Sequence, residues 1–137
     1  MIESRPLVSV VDDDESVRES LPDLLQEFGF AVDTFASAEE FLASGGAART
    51  ACLILDIAMP GMSGPDLQCE LMQRRQKVPI VFITAHADKA DFPRLMEQGA
   101  VACLLKPFSD TALREALNAA LDARSPDEGK IVSGEPT

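Results

Sequence analysis

Apolar residues fall in two alternating patterns along the chain. Five short runs, Leu7–Val11, Phe30–Phe35, Cys52–Leu55, Ile80–Ile83 and Val101–Leu105, are rich in Val, Ile and Phe. Three of them have almost no polar interruption, which is how strands buried on both faces read. Between the runs the spacing turns helical. Val17, Leu21, Leu24, Leu25 and Phe28 form one stripe, with Gly29 as its C-terminal stop. Ser37-Ala38-Glu39-Glu40 has the form of a capping box opening a second helix. Ser63 or Gly64, followed by Pro65, opens a third with Leu67 and Leu71 inward. A fourth runs up to Gly99, and Pro93 marks its first turn if the loop "AHADKADF" is long. A fifth follows Ser109 with Leu113, Leu117 and Leu121 on one stripe. Pro22 removes a backbone donor inside the first helix and predicts a kink there.

Five strand-then-helix units predict an α/β fold, a doubly wound parallel sheet with right-handed crossovers and helices on both faces. A chain of 137 residues suits one domain, expected over residues 1–124. The polar stretch "RSPDEGKIVSGEPT" makes residues 125–137 a flexible tail or linker stub. No apolar run approaches the ~18–20 residues of a membrane span, and "MIESRPLVSVV" does not read as a secretory leader, so a cytoplasmic protein is expected.

Charge narrows the function. The formal net charge is −11, which argues against a nucleic-acid-binding face and suits cations or basic partners. Cys52, Cys69 and Cys103 lack zinc-ligand spacing, and their apolar neighbours predict three buried free thiols.

Ligands of open α/β sheets bind beyond the carboxyl ends of the strands. Strand one ends in Asp12, Asp13 and Asp14, strand three in Asp56, strand four in Thr84 and strand five in Lys106. Four of five strands thus deliver a polar group to one edge. Carboxylates from two strands supply hard oxygen ligands suited to Mg²⁺. A cation there cancels the repulsion within "VVDDDES". Lys106 adds a compact positive charge and Thr84 a hydroxyl, a set suited to phosphoryl transfer with Asp56 as nucleophile.

"VVDDDESVRESL", "LILDIAMPGMSG", "VFITAH" and "LLKPF" together resemble the receiver domain of bacterial two-component response regulators, nearest in look to FixJ-type receivers. The resemblance runs from about Leu7 to Arg124. It implies the CheY-like (βα)5 sheet in strand order 2-1-3-4-5. It implies Asp56 as phosphoacceptor and Mg²⁺ held by Asp13 directly, by Asp12 largely through water, by Asp56 and by the Ala58 carbonyl. Thr84 becomes the switch threonine, Lys106 the phosphate-pairing lysine, and Lys106-Pro107 a candidate cis peptide. Asp14 has no fixed role in the family and reads as a helix N-terminal acid.

The family further implies a sensor histidine kinase or phosphotransfer protein as donor, and a receiver that catalyses its own modification while serving mainly as a signalling switch. The phosphorylated state shifts a protein-contact surface around helix four, strand five and helix five. Neither nucleic acid nor membrane is expected as a direct partner, and the chain is a monomer or a phosphorylation-linked dimer. His86, two residues after Thr84, reads as an exposed loop histidine, the alternative being a gate on water attack, since such positions in the family influence how fast the phosphate is lost. The family's usual aromatic three residues before the lysine is here Cys103, so the switch surface is expected to rely on the region around Phe92 instead.

Three rival readings have stated discriminators. A haloacid-dehalogenase-like phosphatase would use Asp12 and Asp14, but leaves Asp56 and its turn unexplained. A pure interaction module would bind no Mg²⁺. A receiver cut from a longer DNA-binding transcription regulator stands as the alternative to the expected single-domain regulator.

Overall fold

The computed structural model describes residues 5–85 and 91–124. Strands β1 (Leu7–Val11), β2 (Ala31–Phe35), β3 (Cys52–Asp56), β4 (Ile80–Thr84) and β5 (Ala102–Leu105) alternate with helices α1 (Glu15–Glu27), α2 (Ala38–Ser44), α3 (Gly64–Gln73), α4 (Phe92–Glu97) and α5 (Asp110–Arg124). All pairings are parallel, and the sheet order is β2-β1-β3-β4-β5. This is the doubly wound parallel sheet that the strand-helix alternation predicts, in the CheY-like order that the resemblance implies.

Side-chain alternation along the central strands builds two cores, one on each face. Val8 and Val10 of β1, Cys52 and Ile54 of β3, and Val81 and Ile83 of β4 pack against α1 and α5. Leu53 and Leu55 of β3, with Ile80 and Phe82 of β4, pack against α2, α3 and α4. Both faces of β3 and β4 are therefore buried, which is why those runs lack polar residues.

Helix ends follow local chemistry. Gly29, at φ +101°, lets the Phe30 amide reach back to the Leu25 carbonyl and ends α1. The helix runs unbroken from Glu15 to Glu27 with Pro22 inside it. Ser63 and Asp66 form a reciprocal capping box at α3, each side chain accepting from the other's backbone N–H. At α2 only half of the expected box forms. Ser37 Oγ accepts from the Glu40 amide, but Glu40 Oε1 accepts from Ala36, outside the box. Pro93 does stand in the first turn of α4, a short helix whose only buried side chain is Leu95. Residues 86–90 of the preceding loop, and the tail 125–137, lie outside the described residues.

The cysteine expectation needs correction. Cys52 is buried, but Cys69 is exposed and Cys103 only half-buried. In α3, Leu67 and Leu71 face the core, and two residues on from Leu67 a helix has turned by about 200°. Cys69 therefore points outward despite its apolar sequence neighbours.

Candidate phosphoacceptor site

The carboxyl ends of β1, β3, β4 and β5 meet where the sheet order reverses. Asp12 and Asp56 are buried and Asp13 is exposed, yet one carboxylate oxygen from each lies within 4.8 Å of the others. Burying two acids beside a third is costly unless something opposes the charge. Part of the compensation is internal. Lys106 Nζ lies 2.8 Å from Asp12 Oδ2, an ion pair with Asp12 fully buried. Asp12 Oδ1 accepts from the Asp14 amide at 2.9 Å, and Arg18 Nη1 donates to the Asp12 carbonyl at 2.9 Å.

Compensation at Asp56 is incomplete. Desolvation, then the negative charge of Asp12, push its pKa up to about 7; Lys106 opposes this, while a hydrogen bond with Asp12 and the charge of Asp13 add to it. A carboxyl group so far from its ordinary range marks a place where more positive charge is needed. Three hard oxygen donors on two strands, with Asp13 at the solvent edge, fit Mg²⁺, which keeps several waters and takes few protein ligands.

Asp14 takes a separate role. Its Oδ1 accepts from the Ser16 amide at 2.9 Å and from Ser16 Oγ at 2.8 Å, so it caps α1. Those bonds, led by the Ser16 hydroxyl, hold its pKa below the usual value. The acidic cluster therefore consists of Asp12, Asp13 and Asp56, with Asp14 turned to its own helix start.

Thr84 ends β4 as a buried residue, and its carbonyl accepts from the Lys106 amide at 2.7 Å, which ties the last residue of β4 to the lysine. The Lys106-Pro107 peptide is cis. Ala58 is in the exposed turn after β3, and Cys103 pairs with Phe82 across the β4–β5 ladder. His86 falls outside the described residues.

The family described as response regulator receiver domain matches residues 8–118. This chain belongs to that family. Receivers of known regulators are close in sequence. The chain is 44% identical over 119 residues to Nodulation protein W of Bradyrhizobium diazoefficiens, covering 87% of this chain and 52% of that protein. It is 41% identical over 130 residues to the Transcriptional regulatory protein FixJ of Azorhizobium caulinodans, covering 95% of this chain and 61% of that protein. The chain thus spans about half to three-fifths of the length of these curated relatives. Among solved structures, the N-terminal part of FixJ superposes with a TM-score of 0.77 at 39% identity, covering 89% of this chain and 96% of that one. The response regulator StyR gives 0.80 at 44% identity, covering 91% of this chain and 63% of that one.

Two residues that shape this receiver's site were not singled out by sequence pattern. Arg18 folds back from α1 onto the end of β1. Glu39 of α2 accepts from the Met62 amide at 3.0 Å, in the turn that follows β3 and Asp56. Arg18 stands four residues after the cap Asp14, a weak cue; for Glu39 no local cue exists.

Proposed function

We propose that this receiver accepts a phosphoryl group at Asp56 from a histidine kinase or phosphotransfer protein and thereby switches a protein-contact surface. The observation that carries the reading is the convergence of Asp12, Asp13, Asp56 and Lys106 at one edge of the sheet, with the Asp56 pKa pushed up to about 7. An Asp56 carboxylate oxygen attacks phosphorus, the donor's P–N bond breaks, and the leaving imidazole nitrogen keeps the electron pair. Asp13, Asp56 and the Ala58 carbonyl would hold Mg²⁺ directly and Asp12 largely through water, and the ion would supply positive charge against the phosphoryl oxygens. Lys106, already at the cluster, offers its remaining N–H donors to one phosphoryl oxygen, and the Thr84 hydroxyl serves another. Asp56 must be ionised to attack, and positive charge at the cluster, from Lys106 and from a cation when bound, would favour that ionised form.

The output passes through the face of α4, β5 and α5. With Cys103 in the place of an aromatic ring, the switch works through the region around Phe92; Pro107 follows the lysine in its cis peptide, and His86, two residues after Thr84 in sequence, tunes the phosphate lifetime. No described helix is long and apolar enough to cross a membrane; the receiver acts in the cytoplasm, where its donor's phosphohistidine is.

Intact mass after incubation with Mg²⁺ and acetyl phosphate tests the core of this reading. Wild type gains one phosphoryl group and Asp56→Asn gains none. Labelling of the variant moves the nucleophile elsewhere. No labelling of wild type, together with no Mg²⁺ binding, leaves a phosphorylation-independent interaction module.

A second reading has one observation in its favour. The chain covers 52% of Nodulation protein W and 61% of the FixJ relative, which fits a receiver that serves within a longer regulator. A coding sequence continuing past residue 137 into a second globular segment supports it. A stop codon there supports the single-domain regulator.

A further inference from the structure

The segment between the phosphoacceptor strand and α3, residues 57–63, is held at several points. The Ile57 amide donates to the Ile83 carbonyl and the Gly64 amide to the Ile57 carbonyl, both at 3.0 Å, which closes its neck. Met59 is buried in the core between the sheet and α2, α3 and α4. The far side of the turn is held by a side chain from another element: Glu39 Oε2 accepts from the Met62 amide at 3.0 Å. The adjacent backbone is shaped to that carboxylate. Gly61 adopts φ +75°, and a Cβ built there would stand 2.9 Å from Glu39 Oε2. Carboxylate and turn therefore fit each other at two consecutive residues.

We infer that Glu39 is a positioning residue of the phosphoacceptor site, a strut from α2 that sets the turn carrying Ala58 relative to Asp56. The inference rests on the phosphoacceptor reading, because the turn matters through its Ala58 ligand. Glu39 touches no reacting atom. A hydrogen bond to an ionised acceptor is stronger than a neutral one, and the pair joins residues 23 positions apart in sequence. Loss of the strut loosens the turn of residues 57–63, which carries Ala58 between its closed neck and Met62. The ligand geometry then loosens while both cores stay packed. The competing role is local, since an acid in the first turn of a helix is favoured by the helix dipole whatever it touches. Glutamine separates the two: it keeps an acceptor oxygen for Met62 and discards the charge.

The chain has neither Trp nor Tyr, so Mg²⁺ affinity is best read by calorimetry or amide NMR. The test compares wild type, Glu39→Ala and Glu39→Gln as full chains, each with a melting curve in EDTA. Glu39→Ala weakens Mg²⁺ binding by about fivefold to tenfold, around the lower end of what groups supporting metal ligands contribute. It also speeds hydrogen exchange at the Met62 amide. Glu39→Gln stays within about twofold of wild type on both readouts, where a hydrogen-bond role is retained. Unchanged Mg²⁺ affinity in Glu39→Ala overturns the inference. So does Glu39→Gln behaving like the alanine variant, which assigns the residue to the helix dipole. Wild type that binds no Mg²⁺ at all overturns the phosphoacceptor reading and this inference with it.

Discussion

A Cβ built on Gly64 would overlap the Asp56 carbonyl oxygen and come within 3.0 Å of Ile57 Cα and 3.1 Å of Phe82 Cε1. Two of these neighbours are backbone of Asp56 and Ile57, and neither can swing aside. The residue is helical, so the constraint is space and not φ. Gly64→Ala is expected to cost about 1–3 kcal/mol, the range for overpacking a filled site. Because the displaced atoms belong to Asp56 and Ile57, acetyl phosphate labelling should slow as well. Urea denaturation beside intact-mass kinetics checks both; a variant of wild-type stability and rate would show that the neighbours can yield. Single residues of other kinds are less constrained. Arg75 ends α3 at φ +60°, the left-handed position that Gly29 and Gly99 hold at other helix ends, and at an exposed site that strain is tolerable.

At the scale of elements, α4 is the least anchored. It has six residues, one buried side chain, Leu95, and a long contact of 3.4 Å from Gln68 Nε2 to the Leu95 carbonyl. The amide oxygen Oε1 of that buried glutamine has no hydrogen-bond partner among the described residues. An element with so few buried contacts opens at low free energy. This suits a surface meant to shift, and it gives content to the proposal that Phe92, half-buried at the first residue of α4, takes over from the missing aromatic at Cys103. Beryllofluoride with Mg²⁺, a mimic of the phosphorylated state, should move the amide signals of Phe92 to Leu95 more than those of α5. Shifts confined to the acidic cluster would place the output elsewhere.

For the whole molecule, pH is the most direct probe. Folding carries Asp56 from its ordinary 3.8 to about 7. Between those values the folded chain binds a proton that the unfolded chain has released. Stability then falls as pH rises through that window, by on the order of 2–4 kcal/mol from this group. The net charge of −11 pushes in the same direction by self-repulsion. Asp56→Asn isolates the local part. In EDTA, wild type should lose more stability than the variant between pH 5 and pH 8, and saturating Mg²⁺ should close the gap. Parallel pH profiles for the two proteins would mean that Asp12 and Lys106 already balance the site.

The strand runs, the helix stripes and the strand-end polar groups were all legible, because each depends on a short period along one chain. The parallel sheet followed from five strand-helix repeats, and its order from resemblance to a family. Capping at Ser63 and Ser109 was legible for the same local reason. Cys69 is exposed because its angle on the helix, and not the character of its sequence neighbours, sets which way it points.

What tertiary structure alone decided is which partner each charge takes. Lys106 lies 94 positions from Asp12 and still pairs with it. Of two adjacent acids in α2, Glu40 stays at its own helix start while Glu39 reaches the Met62 amide of another loop. The capping-box spacing of "SAEE" assigns Glu40 to the helix start, but nothing in it sends Glu39 to Met62. Ionic and hydrogen-bond partners depend on distances of a few ångströms between elements, and packing sets those distances. The chain's own pattern determined that acids, a threonine and a lysine would gather at one edge; only the folded core brought the carboxylates close enough to need a cation.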